Sequence, residues 1–378
     1  MPDSESLSCP GRELADLLVH GGHLTSPEWV TAFTEVPRHV FMPRVYVPRP
    51  EGGFRVVDVD GTAPLAYQDE AWVTQLDGGH PAPDGNGVVH GAPTSSTSAP
   101  SLMAAMLEAL DVADGMRVLE VGTGTGYNAA LLCHRLGGDR VTTVEFDPEL
   151  AEQARQRLGQ LGCRPTVHVG DGAVGYPPNA PYDRMIVTCA LPHVPWSLVE
   201  QARPGGVLVV PLWRGHLPCG LMLRLTVDGD DRAQGSLLDQ YGGFMPTRGV
   251  PPSQATQLLA RRDTDAGDER DTDLTGHPVY EGEPWAWFAA LTVPDAEPVM
   301  TVHTDGATRH WLFTLDSWGY LTSDRRVVQG GRRRLWDEIE AARDEWQQLG
   351  CPDRNRFQVA VDREGARLLF GDREWLVV

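Results

Sequence analysis

Basic residues are scarce in this chain of 378: 32 lysines and arginines stand against 52 aspartates and glutamates, a formal charge of −20. Such a field repels a phosphate backbone, which argues against DNA or RNA as the principal partner. No apolar run approaches the roughly 18 residues needed to span a bilayer, so no membrane partner is expected. The first residues, MPDSES, are acidic where an export signal would be basic, and the expected location is cytoplasmic. There is no CxxC pair. Six cysteines (Cys9, Cys133, Cys163, Cys189, Cys219, Cys351) are scattered, as reduced thiols in a cytoplasm would be. The 12 histidines form no HxxxH or HExxH pair, so no metal is expected. No internal repeat is visible. With 41% hydrophobic and 22% charged residues, the composition is that of a globular chain, long enough for two compact domains.

Glycine and proline, 41 and 30 in number, divide what is there. Residues 12–20 read as a helix with Leu14, Leu17 and Leu18 on one face. Ser26 offers an N-cap and Pro27 a first helical position for a second helix running to Val36, which Pro37 stops. Residues 48–100 have little periodicity, and composition alone reads them as a flexible linker. From residue 101 the pattern becomes regular. A helix over 101–110 carries Leu102, Met106, Leu107 and Leu110, and strands then alternate with helices as in a doubly wound parallel sheet: RVLEVG, NAALLCHRLG, VTTVEF, PELAEQARQRLGQLG, TVHVG, YDRMIVTCA and GGVLVVPLW, with LMLRLTV as a further strand. Residues 261–273 are a dense run of mixed charge and read as a solvated linker. Beyond them lie seven of the 11 tryptophans, an amphipathic helix over 332–349 and a hairpin around Glu364-Gly365. Tryptophan at helical spacing reads as core. The arginines at 325, 326 and 332–334 make a local basic patch, either a solvated helix start or a landing site for an acidic partner.

The strongest chemical signal is the strand 118–121 ending in Gly122-Thr123-Gly124-Thr125-Gly126. Close glycines let a ligand approach the backbone at the carboxyl edge of a parallel sheet. The spacing is GxGxG followed by Tyr127, whereas a dinucleotide site wants GxGxxG. Glu145, at the tip of the next strand and 19 residues after Gly126, can accept from both hydroxyls of a ribose. Asp171, in Gly170-Asp171-Gly172 after the third strand, can accept from an adenine amino group. Together these describe an adenosine pocket with no pyrophosphate clamp, which favours S-adenosylmethionine over NAD and disfavours a nicotinamide oxidoreductase. Asp183, in PYD, reads as structural.

On these motifs, about the first 248 residues resemble the protein L-isoaspartate O-methyltransferases, a class I methyltransferase family. EVPRHVFMP (35–43) is similar to the family's VPRxxFVP element, and FMPTRG from Phe244 to the VPL element that closes its catalytic domain. VLEVGTGTGYNAALL, VTTVEFDPELAEQAR and the run from VGDGAVGY to VVPL follow its cofactor and sheet motifs. Ser96-Thr97-Ser98-Ala99-Pro100 resembles its TIS-x-P active-site motif, so the stretch before it is expected to be an active-site loop rather than a linker. One departure stands out: the family's GQTIS is here PTSSTS, which touches recognition of an isoaspartyl backbone.

The resemblance implies a Rossmann-like doubly wound α/β sheet with an N-terminal helical and loop segment and an added C-terminal α+β domain. It implies S-adenosylmethionine as cofactor and S-adenosylhomocysteine as product, held by Thr97, Ser98, Met103, Gly122, Thr123, Gly124, Glu145, Phe146, Asp171, Gly172 and Thr247, with Ser98 also holding the reacting carboxylate. The division expected is a catalytic domain over 1–248, a charged linker over 249–276 and a C-terminal domain over 277–378 for peptide-substrate recognition. Long forms with such an extension resemble the aspartate methyltransferases of ribosomal-peptide (graspetide and lanthipeptide) biosynthesis, whose methyl ester collapses to an aspartimide. That activity is the leading expectation; repair methylation of L-isoaspartyl residues and a non-catalytic peptide-binding module are the alternatives.

Overall fold

The computed structural model describes residues 10–61, 63–213, 220–229, 232–248, 267–278, 280–293, 295–302 and 307–377. They fall into two compact units. The first holds the chain up to Cys189 with Pro195–Pro211 and Leu223–Gln234; the second holds Ala190–Val194, Leu212–Met222 and the chain from Gly235.

In the first unit, α1 (Pro10–His20) and α2 (Pro27–Glu35) form as expected, with two differences in detail. Leu14, Ala15 and Leu18 are the buried face of α1, while Leu17 is 51% exposed. Ser26 sits at the N-cap position of α2 but does not cap it. Glu108 captures the Ser26 hydroxyl (2.5 Å) and the N–H groups of Thr25 and Ser26, because a carboxylate is the stronger acceptor.

Residues 48–100, read from composition as a linker and from resemblance as a loop, carry three strands and the end of a fourth, joined by loops. β1 (Arg44–Pro48), β2 (Phe54–Asp58), β3 (Trp72–Leu76) and β4 (Pro93–Thr97) form an antiparallel sheet in the order β2-β1-β3-β4. Its buried residues gather into two small clusters, one around Met42, Val45, Val59 and Ala66 and one around Tyr46, Leu76 and Val89.

After α3 (Pro100–Leu110), the chain alternates through β5 (Val118–Val121), α4 (Tyr127–Leu136), β6 (Val141–Glu145), α5 (Pro148–Gln160), β7 (Thr166–Val169), β8 (Tyr182–Val187), α6 (Trp196–Gln201) and β9 (Ala202–Leu212). The strands lie in the order β9-β8-β5-β6-β7, all parallel, so the expected α/β sheet is present. Every residue of β5 and β6 is buried, as in a sheet covered on both faces. β10 (Gly220–Val227) lies beside β9.

In the second unit, β11 (Ala233–Gly242), which begins in the first, neighbours a meander of three later strands. Before those come β12 (Asp268–Asp271), α7 (Ala286–Thr292), β13 (Glu297–Val302), β14 (Thr308–Phe313), β15 (Ser317–Thr322), β16 (Arg326–Gly331) and α8 (Leu335–Gln348). The meander is β17 (Gln358–Asp362), β18 (Gly365–Phe370) and β19 (Arg373–Leu376), and the hairpin at Glu364-Gly365 is where the sequence puts it. β12-β16-β15-β14-β13 make a second antiparallel sheet. Trp285, Trp287, Trp311, Trp318, Trp336 and Trp346 are buried, so six of the seven tryptophans are core, with Trp375 partly buried.

One expectation fails here. Asp268–Asp271, inside the charged segment read as a solvated linker, is strand β12, paired with β16. Its charges are matched: Arg270 to Asp337 and Glu340, Glu269 to Arg326, Asp268 to Arg334. The basic patch is engaged as well, with Arg332 on Asp316 and Arg333 on Asp295 and Glu338. Most of the linker, residues 249–266, lies outside the described residues. No described helix is long and apolar enough to cross a membrane.

Candidate active site

β5 delivers the chain to a turn that only glycine tolerates. Gly122 has φ +95°, and a Cβ there would stand 2.9 Å from Thr188 Oγ1. Thr188 in turn donates its hydroxyl to Gly122 O (2.6 Å), closing β8 against the turn. Gly124 has φ +52°, and only Ser96 O, at 3.8 Å, would meet its Cβ. The turn is pinned to β6 by Gly122 N–H on Val144 O (2.9 Å) and Gly124 N–H on Glu145 Oε2 (2.8 Å).

Glu145 is almost fully buried at the tip of β6. Its other oxygen accepts from Asp147 N–H (3.0 Å), which leaves further lone pairs on both oxygens free for hydroxyl donors. Asp147 caps α5, accepting from Glu149 N–H (2.9 Å) and Leu150 N–H (3.3 Å), and also takes Gln75 Nε2 from β3 (3.1 Å). Beneath the turn lies Glu120, fully buried, with Asn128 Nδ2 (2.7 Å) on one oxygen and Thr143 Oγ1 (2.6 Å) on the other. Burial pushes its carboxyl up to about 7 against the pull of these two donors, and the neighbouring Glu145 adds to the rise. Thr143 also meets Thr123 Oγ1 (2.6 Å), so Glu120 fixes a residue of the turn through one intermediary.

Gly170 N–H donates to Glu145 O (2.9 Å), which brings the loop after β7 to the same edge. Asp171 is exposed there, and its Oδ1 accepts from Ala173 N–H (2.9 Å). Gly172 presses on β5: a Cβ would come within 2.3 Å of Val121 Cγ1.

On the other side, β4 leads into Thr97 and Ser98. Thr97 is buried with no partner for its Oγ1 among the described residues, and Ser98 is half-buried. The backbone of Ser98 is held by Arg38, fully buried, whose guanidinium donates to the carbonyls of Ser98 (3.0 Å), Ala66 (3.1 Å), Gln68 (2.8 Å) and Glu70 (2.8 Å). Asp69, within that loop, accepts from Ser101 N–H (2.8 Å) and so caps α3, for which Ala99 has no side-chain acceptor. Met103 is buried in the first turns of α3.

Of the residues expected to form the site, Thr97, Ser98, Met103, Gly122, Thr123, Gly124, Glu145, Asp171 and Gly172 thus lie on linked elements of the first unit. Phe146 follows Glu145 with its ring 56% exposed. Thr247 belongs to the second unit, where its N–H donates to Ala190 O (3.0 Å). Asp183 is structural, accepting from Arg117 N–H (2.6 Å) and pairing with Arg203 (2.8 Å). Sequence reasoning assigned no role to Arg38, Asp69, Gln75 or Glu120. Arg38 lies inside the quoted VPR element, and that was its one available signal.

A glycine turn that a side chain would fill, a buried carboxylate with lone pairs to spare and an orphaned threonine hydroxyl suit an adenosyl sulfonium. With the parallel order β9-β8-β5-β6-β7, they define a class I methyltransferase. The family Protein-L-isoaspartate(D-aspartate) O-methyltransferase (PCMT) matches residues 85–222. Protein-L-isoaspartate O-methyltransferase of Ignicoccus hospitalis is 39% identical over 203 residues, 53% of this chain and 81% of its own length. That of Methanopyrus kandleri is 37% identical over 241 residues, 62% of this chain and 90% of its own. The chain belongs to this family: it is an S-adenosylmethionine-dependent carboxyl O-methyltransferase of isoaspartyl and aspartyl residues. A solved protein-L-isoaspartate O-methyltransferase shares the fold, with a TM-score of 0.53 and 22% identity over 95% of this chain and 99% of that one. An alignment that long takes in part of the C-terminal extension as well as the methyltransferase core.

Proposed function

We propose that this protein methylates the free carboxylate of L-isoaspartyl residues in polypeptides, the repair reaction. The observation that carries the reading is the approach of the Ser96 carbonyl, two residues before Ser98, to the glycine turn beside Glu145, within a chain whose relatives bear that activity in their names. S-adenosylmethionine, when bound, would supply a methyl made electrophilic by its sulfonium, with S-adenosylhomocysteine as the leaving group. Glu145 would take the ribose hydroxyls and Asp171 the adenine amino group, Gly122 and Gly124 would allow close backbone approach, and Thr97, Thr123, Met103, Phe146 and Gly172 would complete the contacts that the first unit offers the cofactor. Ser98 orients the substrate carboxylate. Since a carboxylate with a pKa near 4 is already the nucleophile at neutral pH, no general base is needed, and alignment is the enzyme's main contribution.

The test compares two variants. Ser98→Ala is expected to lower kcat on an isoaspartyl peptide much more than it weakens S-adenosylhomocysteine affinity. Glu145→Ala is expected to weaken that affinity by about 1.5–3 kcal/mol, the range for hydrogen bonds to a charged group. Wild-type turnover in Ser98→Ala removes Ser98 from the reaction.

A second reading is favoured by one observation. β4 begins at Pro93 and reads PTSST, in place of the family's glycine-containing approach to the active-site motif. This supports a normal aspartate in a ribosomally made peptide as substrate, with the C-terminal unit recognising the peptide. Mass spectrometry separates the readings: methylation confined to isoaspartyl peptides supports repair, whereas a product 18 Da lighter than an aspartyl peptide, from loss of water overall, supports the second.

A further inference from the structure

Behind the cofactor turn, the first unit holds a cleft of about 420 Å³ lined by Arg157 and Gln153 of α5, Thr125 of the turn, Thr74 of β3, and Arg44 and Asp58 among others. None of Ser98, Gly122, Gly124, Glu145 or Asp171 lines it. Arg44 and Asp58 pair with each other at 2.8 Å, so their charges cancel. Arg157 is different. Among the described residues its half-buried guanidinium donates to three neutral oxygens: Gln153 Oε1 (3.0 Å), Thr125 O (3.3 Å) and Phe41 O (3.5 Å). Burial pulls its pKa down, and no carboxylate among the described residues counters that pull. A guanidinium set in a cleft wall without a counter-charge is a costly arrangement that an anion relieves. In a protein of net charge −20, an unpaired cation at this place stands out.

The cleft also adjoins the reaction site. Thr125 follows Gly124 directly, and Thr74 donates to Ser95 Oγ (3.2 Å), three residues before Ser98. Three extended residues span roughly 10 Å, so a polypeptide presenting one residue to Ser98 reaches the cleft with a side chain one to three positions away.

We propose that this cleft binds an acidic side chain of the polypeptide substrate, its carboxylate on Arg157, and so selects substrates with a glutamate or aspartate near the methylated residue. The proposal rests on the methyl-transfer reading above. The deciding variant is Gln153→Glu, which places a carboxylate on Arg157 in nearly the volume of the native amide and supplies the missing counter-charge from within. Because the Gln153 amide also donates to Glu149 (3.1 Å), it is made together with Glu149→Gln, so that two carboxylates do not meet there.

The experiment uses the full chain and matched isoaspartyl hexapeptides carrying glutamate or glutamine at positions one to three residues away. Wild type is expected to show a KM about tenfold lower for the best glutamate peptide at equal kcat, the size of a charged hydrogen bond discounted for partial exposure. Gln153→Glu is expected to erase that difference while keeping kcat and S-adenosylhomocysteine affinity. Arg157→Gln is expected to erase it as well. No preference in wild type, or one that survives in Gln153→Glu, overturns the cleft assignment and leaves the methyl-transfer reading standing. If wild type methylates none of the peptides, the functional reading falls. Calorimetric binding of the same peptides in the presence of S-adenosylhomocysteine then decides the cleft separately: tighter binding of the glutamate peptide, lost in Gln153→Glu, upholds it, and equal binding overturns it.

Discussion

Four carbonyl oxygens, those of Ala66, Gln68, Glu70 and Ser98, converge on the guanidinium of Arg38. A methionine there would leave all four without their donor, and Arg38→Met is expected to cost at least about 3 kcal/mol in urea unfolding. Arg38→Lys is expected to recover little, since three donors on one nitrogen cannot serve a planar fan of four acceptors. Glu120 makes a different prediction. Its folded-state pKa of about 7 lies above its ordinary value of 4.5, so its contribution to stability is whole below pH 4.5 and is lost as pH rises through 7. Glu120→Gln, which cannot ionise, is therefore expected to gain on wild type between pH 5 and 8, by up to about 3 kcal/mol. Thermal melts of the two proteins across that range check it. Neither residue declared its role in the sequence. Arg38 reads as one more surface arginine until the loop it gathers, 28 to 60 residues away, is folded around it.

The elements differ in how much of them a local reading can see. β5, α4 and β6 are legible because short apolar runs end at glycines whose backbone must turn, and Glu145 follows from its place at a strand tip. The sheet β2-β1-β3-β4 is not legible. Its strands are five residues each, and β4 pairs with β3 across a stretch rich in glycine and proline. β12 is the clearest case. DERD has the composition of a solvated run, and the partners that make it a strand's worth of matched charge, Asp337 and Glu340, come 67 and 70 residues later. Arg270→Ala is expected to cost about 1 kcal/mol, as partly exposed ion pairs do, and to speed hydrogen exchange in β12 more than in β14 or β15. The site residues Phe146 and Thr247 rest on resemblance alone, because exposure and membership of the second unit give no local signal for either.

At the scale of the whole molecule, the line between catalytic and C-terminal parts does not run at one point in the sequence. The second unit takes Ala190–Val194 and Leu212–Met222 from within the catalytic motifs and most of β11 besides. A chain ending near Arg262 keeps every segment of the first unit, so it is expected to bind S-adenosylhomocysteine. It also loses β17, the neighbour of β11. An uncovered strand edge invites pairing between copies, and light scattering is expected to show self-association that the full chain lacks.

On the ribosome, this threading imposes a wait. The first unit has all its segments once Gln234 has emerged, but Ala190–Val194 and Leu212–Met222 belong to a body whose remaining chain is still to be made. Roughly 140 residues must follow, which at ~5–20 residues per second takes roughly 7 to 30 s. Leu191, Leu212, Leu221 and Met222, all 2% exposed or less in the finished protein, lie in these early segments of the second unit. The nascent chain is therefore expected to bind a chaperone that holds apolar peptide until the second unit is complete, and crosslinking of stalled chains ending near Gln234 and near Val378 checks it.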